Sequence, residues 1–85
     1  MKQRLVNHCQ CAICISGRDH PDRELHRQMN LLMSIMNARQ RRMFAAFEAD
    51  RIGRGGIVKL SQISGLDRKT IRRGMREIQE YHREH

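Results

Sequence analysis

Residues 57–81 read IVKLSQISGLDRKTIRRGMREIQEY, and this stretch decides the predicted fold. Apolar residues recur at helical spacing on both sides of Gly65, which predicts one helix over about 57–64 and a second over about 68–82. Gly65 can adopt the left-handed backbone of a tight turn, and Asp67 is a favourable N-cap for the second helix. Two helices joined by a short glycine-containing turn are typical of a helix-turn-helix.

The second of these helices has two chemically different faces. Ile71, Met75 and Ile78 share one face, where Gly74 would permit a close helix contact. The opposite face and its edges carry Arg68, Lys69, Thr70, Arg72, Arg73 and Arg76. Because the first turns of a recognition helix meet base edges in the major groove, and an arginine fork matches guanine, this face predicts binding of double-stranded DNA. We expect Arg68, Lys69, Arg72 and Arg73 to face the groove and Thr70 and Arg76 to contact bases or backbone.

The charge distribution supports the same prediction. The formal net charge is +8, yet residues 51–76 alone hold eight basic side chains against the single acid Asp67. We expect Arg51, Arg54 and Lys59 to contact phosphates, aided by backbone amides of the loop that contains Gly53, Gly55 and Gly56. A helical hairpin with a solvated basic surface is the simpler alternative. Double-stranded RNA is disfavoured because its major groove is too narrow for a helix.

The rest of the chain is predicted to be helical too, so the fold class is all-α. Residues 22–36 place Leu25, Met29, Leu32, Met33 and Met36 on one apolar face. Leu31 and Ile35 form a second apolar strip on this extra N-terminal helix, which predicts a contact with the cysteine-rich segment or a homodimer.

A further helix is predicted over residues 38–51, with Asn37 as its N-cap. Gln40, Met43, Phe44 and Phe47 would share one face of this helix. Its first turns carry Arg39, Arg41 and Arg42, whose charge opposes the helix dipole and would be offset by a nearby phosphate. This helix and the helix-turn-helix together predict a homeodomain-like three-helix core within residues 22–85.

Residues 1–21 are predicted to form a separate Cys/His-rich knuckle without helical periodicity. Three thiols within six residues can converge on one metal ion, so we predict a site made by Cys9, Cys11, Cys14 and His20. His8 and His26 are alternative fourth ligands. Zinc is the expected ion, an iron–sulfur cluster is the alternative cofactor, and free thiols are the alternative without metal.

Several classes of protein are disfavoured. No apolar run approaches the roughly 20 residues that span a bilayer, and residues 1–8 are too short and polar for a secretory signal. These features predict a cytoplasmic, nucleoid-associated protein with reduced cysteines and no membrane partner. The sequence shows no paired carboxylates, no phosphate-binding loop and no nucleophile with a placed base. We therefore expect neither an enzyme nor a small-molecule substrate.

The stretch from Asn37-Ala38-Arg39-Gln40-Arg41-Arg42 through RIGRGGI to SGLDRKTIRRGMREI also resembles a known family. It is similar to the N-terminal region of a group of bacterial DDE-type insertion-sequence transposases, which carries the pattern ERQRR, GRGG and TGLSRxTIRRGLxEL ahead of an RNase-H-like catalytic domain. The resemblance covers about residues 36–80. It implies a helix-turn-helix that recognises transposon ends through Arg68–Arg76. Because the sequence ends at His85 without a catalytic domain, a DNA-binding module that does not itself move DNA is expected.

Two functional hypotheses follow. The first is a sequence-specific DNA-binding protein with a structural metal, acting in transcription regulation or derived from a transposase. The second is a metal- or redox-sensing regulator whose Cys/His head controls DNA affinity. A protein-interaction adaptor that uses Leu31 and Ile35 is a weaker third hypothesis.

Overall fold

A computed structural model describes residues 6–85 of the chain, and this part contains helices and no strand. The helices are α1 (Ala12–Ser16), α2 (Pro21–Ser34), α3 (Ala38–Ile52), α4 (Gly56–Ser64) and α5 (Arg68–Glu84). The all-α prediction is confirmed. The predicted knuckle lies partly outside the described residues, and its described part includes α1, a helical turn that the sequence pattern did not indicate. None of the helices in residues 6–85 has the length and apolar character needed to cross a membrane.

The helix boundaries follow the local signals in the sequence. Asn37 caps α3 in a reciprocal capping box with Gln40, in which each side chain bonds the other residue's backbone N–H. Gly65 has φ 75°, a left-handed conformation that allows the tight turn between α4 and α5. The Asp67 side chain then accepts a hydrogen bond from the Lys69 N–H and begins α5. These three predictions are confirmed.

The core forms where α3 packs closely on both α4 and α5. The buried side of α3 is made of small residues, Ala45, Ala46 and Ala49, and its contact with α5 is the most extensive helix–helix contact within residues 6–85. A Cβ atom at Gly56 would overlap the backbone carbonyl of Ala49, and one at Gly74 would overlap that of Arg42. The predicted close contact at Gly74 is therefore confirmed.

This close packing overturns the predicted apolar face of α3. Phe47 is 58% exposed, while Met43 and Phe44 are only partly buried. The reason is steric, because a phenylalanine between α3 and either glycine-bearing helix would hold the backbones apart. The alanine side therefore turns inward although it is less hydrophobic.

The buried face of α2 is also displaced from the predicted one. Its buried residues are His26, Met29, Asn30 and Met33, whereas Leu25 and Leu32 are about half exposed. Polar partners cause this rotation, since His26 contacts the cysteines and Asn30 donates a hydrogen bond to the Ile63 carbonyl. The second apolar strip of α2 is solvent-exposed, with Leu31 at 41% and Ile35 at 81%. The homodimer through this strip stays a prediction.

The arginines at the start of α3 have partners within the chain. Arg41 donates hydrogen bonds to the carbonyls of Met33 and Met36 and so satisfies the end of α2. Arg42 forms a bidentate pair with Glu77 of α5, and Arg39 adds a longer contact of 3.6 Å to the same carboxylate. The predicted electrostatic cost at this terminus is thus offset within the chain.

Candidate metal centre and basic helix face

The candidate metal centre joins the N-terminal segment to α2. Cys9 and Cys11 precede α1, Cys14 lies within it, and His26 comes from the second turn of α2. Their spacing is Cys-x-Cys-x₂-Cys-x₁₁-His. Cys11 is fully buried, and Cys9 packs against the hydrophobic core, so the centre adjoins the core.

The four candidate ligand atoms lie close enough together to hold one metal ion. The Sγ atoms of Cys9, Cys11 and Cys14 each lie 3.5 Å from Nδ1 of His26, and all four atoms lie within 4.8 Å of one another. One imidazole nitrogen forms a single conventional hydrogen bond, so three equal sulfur contacts need another explanation. Zinc bonds of about 2.3 Å to sulfur and 2.0–2.1 Å to nitrogen at tetrahedral angles give a sulfur–nitrogen distance of about 3.6 Å. The observed spacing matches this value.

The protonation equilibria of the four side chains also suit a cation. Burial raises the pKa of the Cys9 thiol to about 12, and burial raises that of Cys14 as well. Burial would raise the pKa of Cys11 too, but hydrogen bonds from the Cys14 backbone and from both other thiols lower it overall. A bound dication would stabilise the thiolate forms of Cys9 and Cys14, which burial disfavours. Burial lowers the pKa of His26, which favours the neutral imidazole that ligates metals.

The predicted fourth ligand is corrected by this geometry. His20 lies at the N-cap of α2, where its Nδ1 accepts a hydrogen bond of 3.0 Å from the Asp22 N–H. His20 is not a member of the group of candidate ligands, and His26 is its fourth member. His8 is exposed and does not belong to the group. The sequence held one signal for His26, because it lies three and seven positions before Met29 and Met33 on the buried face of α2.

The second candidate site is the outer face of α5. Arg68, Lys69, Arg72, Arg73 and Arg76 are all exposed, and at about 100° per residue they fall within an arc of about 140°. Ile71 and Gly74 are buried on the opposite side. Among residues 6–85, ion pairs within 4.0 Å involve none of these five cations. A shallow groove runs along this face, lined by Lys69, Thr70, Arg72, Arg73 and Arg76.

The other residues predicted to contact DNA have more varied surroundings. Thr70 is half-buried at the edge of the basic face. Arg51 donates two hydrogen bonds to Glu48, at 2.7 and 3.0 Å, so its charge is already paired. Lys59 is half-buried on α4, close enough to the metal centre that its charge lowers the pKa of both Cys11 and His26. Arg54 is exposed in the glycine-rich loop.

Comparison with known proteins adds no relative to this description. The chain matches no protein-family model, no curated protein and no solved structure.

Proposed function

We propose that this chain binds double-stranded DNA in a sequence-specific manner, with α5 in the major groove and a structural zinc ion at Cys9, Cys11, Cys14 and His26. The observation that carries the proposal is the single exposed face of α5 with five arginine or lysine side chains and no acidic partner within 4.0 Å in the described chain. Such a row of cations at the start of a helix fits the phosphates and guanine edges of a duplex.

The arrangement around this face fits a helix-turn-helix. Three residues, Gly65 to Asp67, connect α4 to α5, and α3 packs across both helices. The basic side chains begin at Arg68, immediately after the cap, so the N-terminal turns of α5 carry most of them. This is the part of a recognition helix that reaches base edges. Arg54 and the loop around it flank the start of α4 and are assigned to phosphates.

Zinc is the ion that the centre fits best. Three thiolates and one imidazole are a ligand set that structural zinc sites use, and such sites are closed, with four protein ligands. An iron–sulfur cluster would insert several atoms between its ligands and hold them farther apart than the 3.5 Å between each sulfur and His26 Nδ1. A chain of 85 residues gains much from such a cross-link, because its core is small.

Selection of bound duplexes from a random pool, followed by affinity measurements on the selected sequence, tests the DNA proposal. Arg72→Ala and Arg73→Ala should each weaken binding by about 1–3 kcal/mol and relax the preference at particular bases. Arg54→Ala should weaken all sequences alike and reduce the salt dependence. Arg83→Ala is the matched control, since Arg83 is an exposed cation near the end of the same helix. Equal binding by the Arg72 and Arg73 variants and the unmodified chain would contradict the groove assignment.

The selected sequence also bears on biological role. A small transcription regulator and a transposase-derived binding protein are both compatible with this architecture. On the resemblance of residues 36–80 to insertion-sequence transposases, terminal inverted repeats of mobile elements are one class of target. A selected site that recurs at such ends would favour the second role.

A further inference from the structure

The C-terminal end of α4 is held by hydrogen bonds from outside the helix. The last carbonyls of any helix lack partners within it. Here the Gln62 carbonyl accepts a bond of 2.9 Å from the Gln10 N–H. The Ile63 carbonyl accepts two, from the side-chain amides of Asn7 at 2.9 Å and Asn30 at 2.8 Å.

All three donors lie in the segments that the metal ligands join. Gln10 stands between Cys9 and Cys11, and Asn7 is two positions before Cys9. Asn30 lies one helical turn after His26 on the same face of α2, and its side chain is 3% exposed. An ion bound to the cysteines and His26 would therefore fix the two sets of donors relative to each other.

These hydrogen bonds meet α4 directly before the turn that leads into α5. Asn7 also packs over the turn, because its Oδ1 lies 2.8 Å from the position of a Cβ atom at Gly65. Two residues later Asp67 caps α5, and the first basic side chain follows at once. Any loosening at Ile63 and Gly65 would thus change the angle at which α5 leaves the turn.

We infer that the Cys/His centre locks the turn between α4 and α5, so that zinc occupancy controls DNA affinity. This inference rests on the proposed DNA-binding function and adds a regulatory role to the metal. The physical link is the three hydrogen bonds to Gln62 and Ile63 together with the contact of Asn7 at Gly65. Loss of the ion frees the N-terminal segment from α2, and the end of α4 loses its outside donors.

The first test compares zinc-loaded and chelator-treated protein on the selected duplex at one fixed salt concentration. The zinc-free protein should bind about 5- to 150-fold more weakly, the usual range for coupling between two sites. Because coupling of binding equilibria is reciprocal, bound duplex should raise the equilibrium zinc affinity, measured by competition with a chelator, by the same factor. Equal DNA affinity with and without zinc would overturn the inference.

Amide hydrogen exchange on the same two samples shows where the ion acts. We expect protection to fall over residues 60–70 and in the N-terminal segment, while the contact between α3 and the middle of α5 stays protected. Uniform loss of protection from α1 to α5 would mean that zinc supports the whole described fold, and this result would overturn a local lock. This measurement needs no DNA, so it decides the lock even if the zinc-loaded protein binds no duplex and the proposed function fails.

A variant that leaves the metal ligands intact separates the lock from the ion. Asn7→Ala removes one donor to Ile63 and should keep one zinc per chain. It should increase exchange at Gly65 and weaken DNA binding by about 2- to 10-fold, the effect of one hydrogen bond. Gln62→Ala is the control, since Gln62 contributes its backbone carbonyl to the lock and its side chain is exposed. Identical behaviour of the Asn7 and Gln62 variants would contradict the inference.

Discussion

Substitution of His26 and substitution of His20 should have different effects, because only His26 belongs to the candidate metal centre. His26→Ala removes Nδ1, the atom that lies 3.5 Å from each of three sulfurs. His20→Ala removes a side chain that accepts one hydrogen bond from the Asp22 N–H at the start of α2. Each variant loses one imidazole, and the two positions are six residues apart in the sequence. The variants therefore differ mainly in the role of the ring that is lost.

The two substitutions should differ widely in their effect on zinc affinity. Structural zinc sites bind with about 10–16 kcal/mol at neutral pH, so an equal share for one of four ligands is about 2.5–4 kcal/mol, or roughly a hundred- to a thousandfold in zinc affinity. Loss of the N-cap at His20 should lower the free energy of unfolding by about 1 kcal/mol. In a domain of this size that corresponds to a fall of about 4–8 °C in Tm, with zinc affinity unchanged.

Competition with a chromophoric chelator measures the zinc affinity, and calorimetry with and without chelator measures the thermal stability. The unmodified chain and His20→Ala should both lose Tm when chelator is added, because a ligand that binds only the folded state stabilises it. His26→Ala should show a clearly smaller fall in Tm on addition of chelator than His20→Ala, because its zinc affinity is lower. Retention of tight zinc binding by His26→Ala, with loss in His20→Ala, would refute the assigned ligand set.

The remaining predictions concern the packing of α5 and a helix cap. Gly74→Ala should lower the free energy of unfolding by about 1–3 kcal/mol, because the added Cβ atom overlaps the Arg42 carbonyl. This loss should outweigh the helix propensity of alanine, which favours the variant by about 1 kcal/mol. A raised Tm would contradict this packing. The hydrogen bond from Arg42 lowers the pKa of Glu77, so this carboxylate stabilises the fold above its unfolded pKa of about 4.3 and the contribution is lost as pH falls through the lower folded value. Glu77→Gln should remove that part of the acid dependence in urea titrations, and an unchanged pH profile would argue against the ion pair. Asn37→Ala deletes the capping box with Gln40 and should lower the free energy of unfolding, measured by chemical unfolding, by about 1 kcal/mol. A change below about 0.5 kcal/mol, which is typical of neutral surface substitutions, would mean that the capping box does not stabilise the fold.

The features that sequence reasoning predicted correctly depend on single residues and their immediate neighbours. Asn37 and Asp67 are caps because a short polar side chain can reach an N–H two or three residues ahead. Gly65 forms the turn because it tolerates a positive φ. Such preferences act within a few residues and can be judged from the chain alone.

The features that it missed depend on contacts between distant segments. Hydrophobicity ranks Phe47 above Ala46, but the close approach of α3 to Gly74 is a property of two helices together and selects the smaller residue. The choice between His20 and His26 likewise depends on the rotation of α2 about its axis. That rotation is fixed by the cysteines on one side and by the Ile63 carbonyl on another. No local pattern encodes either constraint.

The pairing of two arginines outside α5 affects how positive charge is distributed over residues 6–85. Arg42 and Arg51 are matched by Glu77 and Glu48, so their charges largely cancel, whereas those on the outer face of α5 do not. Among the described residues, unpaired positive charge is therefore concentrated on the outer face of α5, to one side of the helix core. If the chain binds DNA as proposed, this asymmetry would exert a torque in the field of the polyanion that turns α5 forward before contact, and so raise the fraction of productive collisions at low ionic strength.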